Sequence, residues 1–543
     1  MEMKVEKQFK RTVKAGLILF AAGLLLGAVI VYAVTPSSTF YISSGVYPGA
    51  PSFTVWEEDS DYFAKDANGQ LKYSGTNATE IIQNCLTALT SGGTVFLKGS
   101  FEMDGFLEIG SNQKLVGEKN TLLKRTANTV VMIKNDNARS TGYTGNENIE
   151  LSNFRIDVQG DTYTTYCTAI AFIHSMNIHV SNVEVYDVAD QWHAIEFNSI
   201  RHGKIEGCYL HNDYDIAGTE AIQIDGASGG WVDADYTVDD TISRDIIICN
   251  NHIVDFKRGI GSHNVGSQDG INIHDNNIEG FTQHGIRTYE WDNSSIHDNC
   301  IHDNTPKATF SAPIAIRCYV GFRVSKNLLI SNNEIYNIFA EYARGIYVTG
   351  NGTASKTQQV NIIGNNLFDI GEHGISCDNV TGIIYSANSL MNMSINSTTG
   401  YALTIYQSSN AAVTGNYVYG SEYGFWIYNS TNVQVKTCMF LGLRTNVATV
   451  SGSTHYEFAD NFYDTANTGQ TTLTNGQTSV SVTVGLITSE SLVWLTIQEP
   501  DNLAAGEYLR VDTIYPIENR FTVECGDGGA ASTNIIFNYK VEN

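Results

Sequence analysis

The chain has 543 residues, enough for a large core, yet only 7 Pro and 16% charged residues. Its 57 Asp and Glu against 32 Lys and Arg leave a formal charge of -25, which excludes a nucleic-acid partner because nothing would offset phosphate repulsion. Abundant Gly, Asn, Thr and β-branched residues favour strands and turns over helices, so an all-β class is expected.

Residues 1–14 form a basic segment with Lys4, Lys7, Lys10, Arg11 and Lys14, expected to be cytoplasmic. Residues 15–34 are uncharged, and no basic residue recurs until Lys65. Such a run is long enough to span a bilayer, and the charge asymmetry holds the start of the chain inside. A transmembrane helix with an extracellular bulk is therefore expected. Val31-Tyr32-Ala33 also offers a small-residue cleavage site, so secretion after signal removal stays open.

Residues 35–73, with Pro36, Pro48 and Pro51, read as a stalk and a first strand around Ser52 to Trp56. From Asn77 the apolar residues Ile81, Ile82, Leu86 and Leu89 follow helical spacing behind capping residues, and Gly92-Gly93 ends the helix. The sheet begins at Thr94-Val95-Phe96-Leu97. The helix is expected to cover the otherwise exposed first coil as an N-terminal cap.

Ser74-Gly75-Thr76-Asn77-Ala78-Thr79-Glu80-Ile81-Ile82-Gln83, followed by Gly92-Gly93-Thr94-Val95-Phe96-Leu97-Lys98-Gly99, resembles the N-terminal signature of the pectate-lyase-like right-handed parallel β-helix superfamily. The preceding Tyr62-Phe63-Ala64-Lys65-Asp66-Ala67-Asn68-Gly69 resembles the opening segment of archaeal membrane-anchored surface members of that group. The resemblance covers roughly residues 52–465 and implies the fold more than an activity, since the superfamily spans polysaccharide lyases, glycoside hydrolases, epimerases and non-catalytic surface proteins. The polygalacturonase set Asn-Thr-Asp, Asp-Asp, Gly-His-Gly and Arg-Ile-Lys does not occur, nor does the epimerase motif Asp-Pro-His-Asp.

Through residues 74–465 one pattern recurs: aliphatic, two residues, Asn, any residue, aliphatic, as in Ile273-His274-Asp275-Asn276-Asn277-Ile278. The fourth position reads Phe154, Val183, Cys208, Asn251, Asn276, Asn299, Asn333, Asn366, Asn388, Asn416, Cys438, Asn461, at intervals of 22 to 43 residues. A repeat irregular in length but steady in pattern is a solenoid whose turns carry loops of varying size. Replacement of Asn by Phe, Val and Cys marks the position as inward, and buried amides are tolerable when each bonds backbone and the next amide in a stack. Cys208, Cys377 and Cys438 then read as small buried residues rather than disulfide partners, and with nine cysteines and no CxxC pair no zinc site or other cofactor is expected.

A second strand aligns on Ile170, Ile195, Ile222, Ile260, Ile286, Ile314, Ile346, Ile375, Leu403 and Phe425, each preceded by a small residue or Pro. Residues one and three further on share the outer face. They include Glu196, Gln223, Arg287 and Trp426, and Asn198, Asp225, His263, Tyr289, Arg317, Asp378, Tyr406 and Tyr428. At the corner two residues earlier lie His193, Glu220, Arg258, His284, Arg344 and His373. Of nine arginines between 150 and 470, four, Arg258, Arg287, Arg317 and Arg344, fall on this strand or its corner. In so acidic a chain that is a cationic strip suited to a polyanion such as a uronate-containing glycan.

On this register Asp225 and His263 can act as an oriented base, Arg287 and Arg317 can neutralise a sugar carboxylate, and Tyr289 can donate a proton, which is a lyase arrangement. Glu196 and Asp225 lie one coil and two residues apart, roughly 8 Å between Cα atoms from strand spacings, so a glycosidase pair fits as well, with Glu220 as substitute for either. For each single residue a surface ion pair is the plain alternative. Arg258, Arg344, His193 and His284 complete the substrate-contacting set, with Tyr406 and Trp426 for sugar stacking. The long loop from Asp225 to Asp245 adds Trp231 for stacking, and Asp233 and Asp235 as calcium ligands if they are not merely a solvated acidic loop.

After Asp464 the ladder stops. A Thr, Asn and Gly stretch to Gly476 reads as a linker, and five or more short strands then read as a small β-sandwich, giving a module over 466–543. It resembles terminal modules that bind glycans, cap a β-helix or form a homotrimer. The expected function is glycan interaction outside the cell: a polysaccharide lyase or glycoside hydrolase acting on an acidic polysaccharide in an outward groove, or a non-catalytic surface adhesin using the same groove.

Overall fold

The computed structural model describes residues 50–543 except 164, 189–191, 213–219, 229–235, 263–267, 305–311, 321–326, 351–358, 445–447, 460, 464–467, 474–478, 484–491, 498–508, 516–519, 526–534 and 543. Beyond residue 457 only the side chain of Asn461 is described. The 15–34 segment and residues 35–49 of the 35–73 stalk and entry strand thus lie outside the described residues. Among those described, no helix is long and apolar enough to cross a membrane.

Three long parallel sheets wind into a right-handed β-helix. Among the described residues sheet A holds 17 strands, three of them an N-terminal antiparallel meander, sheet B 14 and sheet C 13. A typical coil contributes Asp269–His274 to sheet A, Asn277–Glu279 to sheet B and His284–Tyr289 to sheet C. Each strand pairs with its counterpart one coil later, as in Ile273↔Ile296, Ile278↔Ile301 and Ile286↔Ile316. The inward aliphatics of all three sheets form one continuous core. At the start, Phe53–Glu58, Asp61–Asp66 and Leu71–Gly75 form an antiparallel meander joined to sheet A.

Helix α1, Ala78–Ala88, forms where its spacing predicts. Asn77 accepts from the Glu80 N–H at 3.0 Å, satisfying one free donor of the first turn. Ile81, Ile82, Cys85 and Leu86 are buried in the core of the first coils. Gln113 Nε2 donates to Leu86 O at 2.9 Å and Leu89 O at 3.2 Å, tying the far end of the helix to sheet A.

The rungs stand at the bend between sheets A and B. Asn251, Asn276, Asn299, Asn333, Asn365, Asn388 and Asn416 are each at most 2% exposed. Each side-chain amide donates to the next oxygen in the stack at 2.9 to 3.0 Å, up to Asn416, which meets Cys438 Sγ instead. The rung is Asn365, not Asn366. In the Asn365-Asn366 pair side chains alternate, and it is Asn365 that bonds Asn388 Oδ1 and Ile330 O while Asn366 begins the sheet B strand. The residue before each rung makes the bend in the left-handed region: Asn250, Asp275, Asp298 and Asn332 have φ of 55°, 54°, 55° and 54°. Those side chains tolerate that conformation well. Cys208, Cys377 and Cys438 are buried free thiols, as are most of the other described cysteines.

The C-terminal strands form two antiparallel sheets. One contains Thr468–Leu473, Ile535–Glu542 and Leu492–Ile497, the other Ser479–Thr483, Arg520–Cys525 and Leu509–Tyr515. The stretch read as a linker thus contains a strand. Thr468–Leu473 pairs with the last strand, Gly469 opposite Tyr539, because backbone pairing needs no apolar alternation in the partner.

Candidate functional site on sheet C

The expected columns do stack on sheet C. Glu196 pairs with Gln223 and Asn198 with Asp225, and at the corner Glu220, Arg258 and His284 are consecutive partners. One coil is displaced by two residues from the sequence expectation. Ile316, not Ile314, pairs with Ile286 and Ile346, so Arg317 stacks on Arg287, and Tyr319 occupies the position beside Tyr289. A shift of two leaves every side chain on its face, so alternation alone cannot distinguish Ile314 from Ile316. The small residue before the aliphatic is then Ala315 rather than Pro313.

Burial changes the meaning of the acidic cluster. Glu220 and Asp225 are 0% exposed, Glu196 1%, and His193 and His284 3% each, so these groups do not line an open trough. Strand alternation tells which face a side chain takes, not what packs onto that face. On the earliest of these coils the outward Ala171 and Ile173 pack against Ala138, Ala227, Trp192 and Tyr236. His174 bridges Gly142 O and Thr237 O at 3.0 and 2.8 Å, joining two of the covering loops.

Within the buried cluster Glu220 is the hub. Its Oε1 lies 2.6 Å from Arg258 Nη1 and 3.3 Å from Arg287 Nη2, and its Oε2 3.4 Å from His193 Nδ1. Two of the four arginines expected to meet substrate are therefore engaged internally. Arg287 also donates to Ser262 O at 2.9 Å. Asn198 Nδ2 donates to Glu196 Oε1 at 2.8 Å, and Gln223 Nε2 to Asp225 Oδ2 at 2.6 Å. Burial above all, with Asp225 and Glu220 nearby, pushes the Glu196 carboxyl up to about 8. Burial, then Arg317, Arg287 and Arg258, drives His284 well below its ordinary value. His263, Trp231, Asp233 and Asp235 lie outside the described residues.

The following coils carry a half-buried strip. Tyr289 and Tyr319 stack with centroids 4.3 Å apart, and the Arg287 guanidinium lies 5.2 Å from the Tyr289 ring. Arg317 sits between rings, 4.5 Å from Tyr319 and 5.7 Å from Tyr347. Among the described residues no carboxylate pairs with Arg317, and its Nε is buried without a hydrogen-bond partner. Arg344 lies 4.4 Å from the Tyr347 ring and 3.6 Å from Glu372 Oε2, and Tyr347 donates its hydroxyl to Asp378 Oδ2 at 3.3 Å. Burial foremost raises both Asp378 and Glu372. Next come Tyr406 and Tyr428, stacked at 4.6 Å, and Tyr401 with Trp426, stacked at 5.1 Å.

Tyr319, Tyr347 and Glu372 were not singled out from sequence. Tyr319 was hidden by the two-residue shift, whereas Tyr347 stands one residue after its column aliphatic and was legible there. A separate concavity of about 790 Å³ on sheet A is lined by residues such as Asn361, Ile384, Ala412 and Gln434, and its acid Glu457 is held by Lys436 at 2.8 Å. Its mainly amide and aliphatic lining offers less chemistry than the sheet C strip.

Fold and site together define a parallel β-helix protein with an aromatic and arginine strip along one sheet. No protein-family model and no curated protein sequence matches the chain. Among solved structures it is similar to PfbA, a surface adhesin of Streptococcus pneumoniae, with a TM-score of 0.53 at 18% identity, over 69% of this chain and 88% of that one. It is also similar to a tailspike variant of E. coli bacteriophage HK620 in complex with a pentasaccharide, with a TM-score of 0.51 at 12% identity, over 88% and 92%. At these identities the likeness is one of fold.

Proposed function

We propose that the chain is an extracellular glycan-interacting protein that binds an acidic polysaccharide along the sheet C strip from Tyr289 to Tyr428. Arg317 carries this reading. It is a cation without a carboxylate partner among the described residues in a chain of formal charge -25, held between the rings of Tyr319 and Tyr347. A guanidinium fixed in this way suits bidentate capture of a uronate carboxylate or sulfate, while the flanking rings stack on sugar faces. The similar structures, a surface adhesin and a tailspike complexed with a pentasaccharide, agree with this use of the fold. The basic N-terminal segment and residues 15–34 would anchor the protein, α1 would cap the coils, and the C-terminal sheets would form a sandwich module for glycan binding or trimerisation.

A catalytic reading, lyase or hydrolase, rests on Asp378 and Glu372, whose burial favours their protonated form beside Tyr347 and Arg344. The test is binding of the protein to a panel of acidic and neutral polysaccharides, with unsaturated products and reducing ends followed in parallel. Retention of acidic polymers, lost in Arg317→Ala, is expected. Equal retention by Arg317→Ala would overturn the binding site. Product formation abolished in Asp378→Asn would establish catalysis at this strip.

A further inference from the structure

Sheet B carries a second constellation, unconnected with the glycan strip. Val254, Glu279 and His302 are register partners on its strands His252–Val254, Asn277–Glu279 and Cys300–His302. Asp303, next in the chain, turns back in the left-handed region with φ 49°. Glu279, His302 and Asp303 each bring one donor atom within 4.8 Å of the others. His302 Nδ1 lies 2.8 Å from Asp303 Oδ2 and 3.9 Å from Glu279 Oε2.

The supports of this group fix what it presents. His302 Nε2 lies 3.0 Å from Asn277 Oδ1, which fixes the ring orientation. Nδ1 faces two carboxylates and donates to Asp303 Oδ2 at 2.8 Å, and a metal ion bound there would take the place of that proton. The ring is held flat against Tyr336, centroids 4.7 Å apart and 1° from parallel. Glu279 Oε1 is engaged by His252 Nε2 at 2.6 Å, and His252 itself stacks on Tyr209 at 5.1 Å, which leaves Oε2 turned toward His302. An imidazole whose far nitrogen is hydrogen-bonded and a carboxylate oriented by a neighbour are the outer supports that metal ligands have.

We propose that Glu279, His302 and Asp303 bind a divalent first-row transition ion such as Zn²⁺, with water in the remaining positions. Ligand bonds of about 2.1 Å place neighbouring donors roughly 3.0–3.4 Å apart, and the two distances at His302 Nδ1, 2.8 and 3.9 Å, bracket that range. One imidazole with two carboxylates favours such an ion over Ca²⁺ or Mg²⁺, which take oxygen ligands. Asp303 is 52% exposed and Glu279 30%, so an ion can enter from solvent. The ion would join two consecutive coils across sheet B.

The experiment is a calorimetric titration of Zn²⁺, with Ca²⁺ in parallel, into the full chain bearing no affinity histidines and stripped by chelator. One equivalent of Zn²⁺ should bind and raise the melting temperature, with Ca²⁺ ineffective. Asp303→Asn, an exposed position, and His302→Gln should each weaken Zn²⁺ by at least about tenfold. His297→Gln, in the stacked His274–His297 pair on sheet A, should leave the titration unchanged. Absence of Zn²⁺ binding, unchanged affinity in Asp303→Asn, or loss only in His297→Gln would overturn the site.

Discussion

The Nδ2 of Asn276 and its backbone N–H both donate to Asn299 Oδ1, at 2.9 and 3.1 Å. One oxygen thus satisfies two buried donors of the preceding coil, while the Asn299 amide bonds Ile273 O at 3.1 Å and the next rung at 2.9 Å. Asn299→Ala orphans the Asn276 N–H and leaves Ile273 O without its side-chain donor, at a cost of roughly 1–3 kcal/mol each, while Asn276 Nδ2 keeps Ile248 O and His274 O as acceptors. A loss of about 3 kcal/mol in denaturant unfolding is expected. An unchanged midpoint would mean that water takes over the rung.

Glu220 is a structural anion before it is a catalytic one. It is fully buried and holds the buried Arg287 and the partly buried Arg258, and breaking such a pair from one side costs about 3–5 kcal/mol because the remaining charge is left uncompensated. Glu220→Gln should therefore lower the melting temperature strongly. Loss of glycan binding in that variant should track unfolding rather than occur in folded protein, as circular dichroism beside a binding assay would reveal.

Stability should have a maximum in pH. Glu196 rises from 4.5 to about 8 in the fold, so the folded state holds a proton that the unfolded chain has lost. Stability from this group is complete below about 4.5 and declines as pH climbs towards 8, by about 1.4 kcal/mol per unit at most. His373 falls from 6.5 to about 3, through burial and then Arg344, and its Nδ1 accepts from the Tyr401 N–H at 3.0 Å. The unfolded chain takes up that proton first, so stability from His373 is present above 6.5 and is lost as pH falls towards 3. Melting curves across pH should show Glu196→Gln lifting the alkaline limb alone. An identical alkaline limb in that variant would contradict a neutral Glu196.

Arginine and aromatic contributions to glycan binding should separate by salt. Arg317→Ala should weaken binding of an acidic polymer about tenfold or more at low ionic strength, with the difference shrinking as salt rises. Tyr406→Ala should weaken it at all salt concentrations, since stacking is little screened. Parallel salt curves for the two variants would assign Arg317 a structural role.

Much of the architecture was legible because a solenoid repeats its constraints. An inward position that is Asn at seven consecutive rungs and Phe, Val or Cys at both ends defines coil, register and core with no long-range information, and the spacing of Ile81, Ile82 and Leu86 behind Asn77 defines α1. Its two errors differ in kind: Asn366 was taken for Asn365, a slip of one between adjacent amides, and Ile314 for Ile316, a slip of two that keeps the period, although Ile314 pairs with the corner residues His284 and Arg344 and only Ile316 joins the core.

Which side chains meet solvent was decided by tertiary structure. The sequence alone determined that Glu196, Asp225 and Arg287 share the outer face of one sheet, with Glu220 at its corner, because alternation along a strand is a local property. Whether that face is open depends on side chains such as Trp192, Ala227 and Tyr236, which pack onto Ala171 and Ile173 from loops of irregular length. Packing of that kind has no period. It buries Glu196, Glu220 and Asp225, engages Arg258 and Arg287 with Glu220, and leaves Arg317 beside Tyr319 and Tyr347 without a carboxylate partner among the described residues.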